Sequence, residues 1–125
     1  MENYSVKILE TSKELTAREK IKLKDTSMSI KLDEVVTPET PLILKPDGYA
    51  VLGIHNEKSE NKDYEVYVIT SPDGNTYVTG STSFYSSFKE IFDEMKNESE
   101  EYEIEVHKLE SKNYKGKYFL TCTIV

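Results

Sequence analysis

A chain of 125 residues is long enough to bury one core and too short for two, so a single domain spanning 1–125 is expected. The apolar fraction of 37% beside 31% charged residues suits a small fold with a large solvated surface and excludes global disorder, while a net charge of −7 excludes a uniformly basic nucleic-acid binder. No run approaches the roughly 18 apolar residues of a membrane span, and Met1-Glu2-Asn3-Tyr4-Ser5 has no basic stretch followed by an apolar one, so no membrane association and a cytoplasmic location are expected.

In the first forty residues, charged side chains interrupt short apolar runs. Ile21-Lys22-Leu23 and Met28-Ser29-Ile30-Lys31-Leu32 alternate at period two around Asp25-Thr26-Ser27, which predicts a hairpin or arm over residues 1–40. Thr37-Pro38-Glu39-Thr40-Pro41 breaks any regular element. A strand is expected at Leu42–Leu44, a turn at Lys45-Pro46-Asp47-Gly48, a longer strand from Tyr49 to His55, and an exposed loop over 56–63.

Tyr64–Ile69 is rich in β-branched and aromatic residues, and Ser71-Pro72-Asp73-Gly74-Asn75 is a turn sequence: proline presets one φ and glycine accepts a positive one. The chain then returns through Thr76–Thr79. Phe84, Phe88, Ile91, Phe92 and Met95 recur at helical spacing behind Ser81, Thr82 and Ser83, any of which can cap the helix. Two alternating strands follow, 102–109 and 117–124, joined by the loop 111–116. In the first, Tyr102, Ile104 and Val106 oppose Glu103, Glu105 and His107; in the second, Tyr118, Leu120, Cys122 and Ile124 oppose Phe119, Thr121 and Thr123.

Read from Leu42, the order is strand, strand, strand, helix, strand, strand. That order predicts a mainly β, OB-like five-stranded Greek-key barrel over 42–125, plugged by the amphipathic helix and extended by the N-terminal hairpin or arm. A sheet with one packed helix shares the same order.

Catalysis finds little support in the residues. His55 and His107 lie on separate strands without zinc-binding spacing, and nucleophile-elbow, P-loop and dinucleotide signatures are missing. The lone Cys122 sits in an apolar alternating run and reads as a buried structural thiol. A non-enzyme with no catalytic residues, no metal and no cofactor is expected.

Single strands are held by flat rings that stack on bases and by cations that meet phosphates. Tyr67 and Tyr77 lie on the two arms of the central hairpin, a face that binds oligonucleotides in OB domains, although core positions would suit them equally. Lys112, Asn113, Tyr114, Lys115 and Lys117 interleave cations and a ring around Gly116, with Tyr118 beside them and no carboxylate between Ser111 and Tyr118; a solvated hairpin tip is the plainer alternative. The hydroxyl-rich segment around Gly80 and Ser81 suits either phosphate binding at a helix N-terminus or simple capping.

Residues His55–Lys58, Tyr77–Tyr85 and Ser111–Thr123 resemble a family of small single-stranded-DNA-binding proteins from phages and prophages of Gram-positive bacteria. The resemblance covers the last seventy residues or so. It implies sequence-independent strand binding in phage DNA replication or recombination, in the host cytoplasm. It also implies strand contacts from Lys112, Asn113, Tyr114, Lys115 and Lys117, with Gly80, Ser81, Phe84 and Tyr85 along the barrel rim; Tyr85 and Lys58 complete the expected binding set. RNA, a replication or host protein, and a second copy of the chain remain open as partners. A different class is also open: the acidic run Asp93, Glu94, Glu98, Glu100, Glu101, Glu103 and Glu105 would suit a phage-encoded protein that binds and inhibits a host nucleic-acid-binding or defence protein.

Overall fold

The computed structural model describes residues 4–98 and 100–125. In chain order the elements are β1 (Tyr4–Thr11), α1 (Ala17–Lys24), β2 (Ile30–Lys31), α2 (Leu32–Val35), β3 (Leu42–Leu44), β4 (Gly48–Asn56), β5 (Asp63–Thr70), β6 (Thr76–Thr79), α3 (Thr82–Met95), β7 (Ile104–Glu110) and β8 (Tyr118–Ile124). The protein is mainly β, with two open sheets. The chain divides into two compact units: the described residues up to Ile30 with Asp47–Gly80, and Lys31–Pro46 with Ser81–Val125.

The first unit is built on the antiparallel meander β4-β5-β6, to which β1 is added beside β4, giving the order β1-β4-β5-β6-β2. The register sets Leu52 opposite Ile8 on one side and Val66 on the other, and Val68 opposite Ala50 and Val78. Because side chains alternate across a strand, these residues share one face, where Leu52, Val68 and Val78 form a buried cluster. Val6, Ile8, Val66 and Leu23 of α1 pack against it. Leu9 falls where the β1/β4 register slips, and a Cβ on Gly53 would lie 3.1 Å from Leu9 Cδ1, so glycine at 53 leaves room for the bulged side chain. The expected β5–β6 turn is present: Gly74 takes φ 92° and donates to the Ser71 carbonyl at 3.0 Å, and Asp73 Oδ1 accepts from Asn75 N at 2.9 Å.

The hairpin expected around Asp25-Thr26-Ser27 is replaced by helix α1 and the two-residue β2. Thr16 Oγ1 accepts from Glu19 N at 3.2 Å while Glu19 Oε1 accepts from Thr16 N at 2.9 Å. This reciprocal cap starts a helix through residues whose apolar alternation mimics a strand. Ile21 on α1 and Met28 beyond it are accordingly 71% and 89% exposed, while Leu23 of α1 packs against the buried cluster. Nor is the N-terminal segment an added arm, since β1 is an integral strand of the larger sheet.

The second unit holds the sheet β3-β7-β8 and helix α3. Ser81 is the cap, accepting from Phe84 N at 3.1 Å, and the aromatic stripe is as expected: Phe84 and Phe88 are fully buried, with Phe92 half-buried beyond them. Ser83 Oγ donates to the Leu120 carbonyl at 2.8 Å, and the Ser87 and Thr121 hydroxyls meet at 2.8 Å, tying α3 to the edge strand β8. Ile104, Val106, Leu120 and Cys122 occupy the buried face of β7 and β8, and Leu32, the first residue of α2, and Val36, which follows its end, are further buried residues. Burial pushes the Cys122 thiol up to about 12, the behaviour of an inert structural cysteine.

The five-stranded closed barrel is not what these strands build. All four strands expected between Leu42 and the helix are present, one more than the barrel order has, and the first of them, β3, pairs with β7 through Leu42↔Val106 and Leu44↔Ile104. Element order leaves open which edges meet, and here β7 and β8 join β3 in a sheet of their own. Among the described residues no helix is long and apolar enough to cross a membrane.

Candidate nucleic-acid interface

The β7–β8 hairpin presents its loop on a closely defined backbone. The ladder runs from Ile104↔Ile124 to Glu110↔Tyr118, after which Ser111 N donates to the Lys117 carbonyl at 2.8 Å and Lys117 N to the Tyr114 carbonyl at 3.1 Å. Gly116 takes φ 82°, a left-handed conformation that glycine accepts without strain, and its N–H donates to Glu110 Oε2 at 3.0 Å. Glu110 is thereby drawn into the loop's own bonding.

Lys112, Asn113, Tyr114, Lys115 and Lys117 are brought together on this loop and all are exposed, Tyr114 by 67%. Among the described residues the three lysines enter no ion pair. Beyond the loop, Tyr118, 51% exposed, and Phe119, 38% exposed and paired across the ladder with Leu109, present aromatic rings from opposite faces of the strand. Phe119 was not among the expected site residues. It stands on the threonine side of β8, opposite the apolar face, so alternation makes it the side chain to turn outward.

Tyr67 and Tyr77, expected as exposed stacking platforms, are instead buried, with only 5% and 8% of their surfaces exposed. Tyr67 pairs with Thr79 and Tyr77 with Ile69, and burial raises the Tyr67 pKa above its ordinary value. Tyr85 is half-buried on α3, its backbone N donating to the Ser81 carbonyl at 3.1 Å. Phe84 is core, and Ser81 Oγ is committed to the helix cap, so the hydroxyl segment acts as a cap. Lys58 is exposed on the β4–β5 loop, where its N–H donates to Asn56 Oδ1 at 3.0 Å. Lys58, Tyr67 and Tyr77 belong to the first unit, the other site residues to the second.

Beside Lys58, the His55 imidazole bonds Asp63 Oδ1 through Nδ1 at 2.7 Å and Glu57 through Nε2, while Lys62 reaches Glu57 at 3.4 Å. The bond to Asp63, then that to Glu57, raises the His55 pKa above its ordinary 6.5. A raised histidine pKa contributes stability that is complete below the unfolded value and lost as pH rises through the folded one. Thermal melts are therefore expected to fall from pH 6.5 upward, and His55→Gln to flatten that decline; an unchanged profile in the variant would assign the pH dependence elsewhere.

The acidic run is partly neutralised within its own unit. Asp93 pairs with Lys89 at 2.9 Å and Lys96 at 3.9 Å, Glu101 with Lys45 at 2.6 Å, and Glu105 lies 3.1 Å from His107. Among the described residues no group of three or more His, Cys, Asp and Glu side chains is arranged to hold a metal ion. No family model matches the sequence, and neither a curated protein nor a solved structure matches the chain.

Proposed function

We propose that the protein binds single-stranded DNA without base preference, in the setting of phage replication or recombination that its resemblance implies. The observation that carries this is the β7–β8 hairpin tip, where exposed Tyr114 and Tyr118 stand among Lys112, Lys115 and Lys117. Rings of this kind stack on any base, and ammonium groups meet phosphates, so the pairing selects single strands over sequence. A closed OB barrel, which the element order also suggested, is not required, because one hairpin supplies every group invoked. The overall −7 is no obstacle where a local surface is cationic.

Fluorescence anisotropy of labelled oligo(dT), read across a salt series, tests the proposal. Each phosphate neutralised on a single strand contributes a slope of about −0.7 in log K against log salt. Replacing Lys112, Lys115 and Lys117 together by alanine is expected to reduce the slope by about 2 and to weaken oligo(dT), oligo(dA) and oligo(dC) alike. Absence of salt-sensitive binding at micromolar protein would sink the assignment.

A further inference from the structure

The segment from Lys7 to Lys24 reverses the sign of the chain. It carries Lys7, Lys13, Arg18, Lys20, Lys22 and Lys24 against Glu10, Glu14 and Glu19, in a protein of net charge −7. Two of those carboxylates are occupied internally: Glu19 closes the α1 capping box, and Glu10 accepts from the Tyr49 hydroxyl. Lys13 lies 4.0 Å from Asp47, whereas Lys7, Arg18, Lys20, Lys22 and Lys24 enter no ion pair among the described residues. The cations are not scattered. Lys7, Lys20 and Lys24 line a groove of about 710 Å³ between β1 and α1, with Leu9 and Leu15 as apolar lining and Glu14 as the one carboxylate there without a described partner.

We propose that this groove is a second binding surface for single-stranded nucleic acid, resting on the function proposed above and adding a contact in the unit that lacks the hairpin loop. Lys7, Lys20 and Lys24 meet successive phosphates, and Leu9, 53% exposed, gives sugars and bases an aliphatic surface. Three unpaired ammonium groups along an open groove match a ligand bearing one charge per nucleotide. A lipid surface fits poorly, since α1 has eight residues and Ile21 is its single exposed large apolar side chain, too little to anchor an interfacial helix.

The test uses the full chain and labelled oligo(dT) in a salt series, comparing Lys7→Ala/Lys20→Ala/Lys24→Ala with Lys112→Ala/Lys115→Ala/Lys117→Ala. The groove variant is expected to lose about 2 units of salt slope, so that its affinity falls roughly 16-fold less than that of the unmodified protein between 50 and 200 mM salt. Glu14→Gln should strengthen binding and steepen the slope, a gain that damaged folding cannot produce. A groove variant that binds as the unmodified protein does, beside a weakened hairpin variant, would overturn the groove and leave the proposed function standing. Loss in the groove variant alone would support the groove and remove the hairpin. If the unmodified protein ignores oligonucleotides yet binds polyglutamate through Lys7, Lys20 and Lys24, the surface is for an acidic polypeptide, and the nucleic-acid assignment fails at both places.

Discussion

Phe88→Ala is expected to destabilise the protein by about 3–5 kcal/mol, the range for truncating a buried phenylalanine. Phe88 is fully buried, its ring centroid 6.0 Å from that of Phe84 and 5.6 Å from that of Phe92. A ring held between two others on one helix face leaves a cavity that the neighbours can fill only by abandoning their rotamers. Natural domains hold only about 5–15 kcal/mol in reserve, so this loss would remove a large share of it. Phe92→Ala should cost clearly less, because Phe92 is half-buried and water can occupy part of the space. Urea unfolding with an unchanged m-value measures both. Equal losses at the two positions would mean that the stripe does not divide into an inner and an outer part.

Tyr114→Ala is expected to weaken oligo(dT) binding by about 1–3 kcal/mol, or roughly 5- to 150-fold, the effect of removing one stacking ring. Unfolding stability should hardly change, since the side chain is 67% exposed and its backbone carbonyl, which accepts from Lys117 N, is retained. Tyr67→Leu and Tyr77→Leu, which remove the ring and keep an apolar side chain, supply the contrast. Both rings are buried, so the folded variants should keep their affinity. An affinity loss in the Tyr67 or Tyr77 variant with none at Tyr114 would move the binding face to the β5–β6 sheet and refute the hairpin.

The two parts of the expected site differ in how readable they were. The loop from Lys112 to Lys117 could be placed from its residues, because lysine, asparagine and glycine between two alternating strands leave the backbone little choice but a solvated turn. Tyr67 and Tyr77 could not. Tyrosine has an apolar body and a polar tip, and its strand position is the same whether the ring meets solvent or core. The basic groove was missed because its cations come from two elements, Lys7 on β1 and Lys20 and Lys24 on α1, that are separated in sequence. One local sign was available: Thr16-Ala17-Arg18-Glu19 has the spacing of a capping box, and would have turned Ile21 and Leu23 from strand to helix.

The sequence by itself determined the features that depend on neighbours in the chain: the meander strands β4 to β6 and their Gly74 turn, the Ser81-capped helix with its phenylalanine stripe, and the β7–β8 hairpin with its exposed cationic tip. Each is encoded by a period or a cap within about a dozen residues, and local sterics and hydrogen bonding enforce it. Only the tertiary structure decided that β1 pairs with β4 and β3 with β7, that the sheets stay open, and that the Tyr67 and Tyr77 rings are buried while Leu109 and Phe119 are not. Strand edges carry the same backbone donors and acceptors wherever they lie, so which edges meet is settled by burying apolar faces across long separations, and no local pattern records that choice.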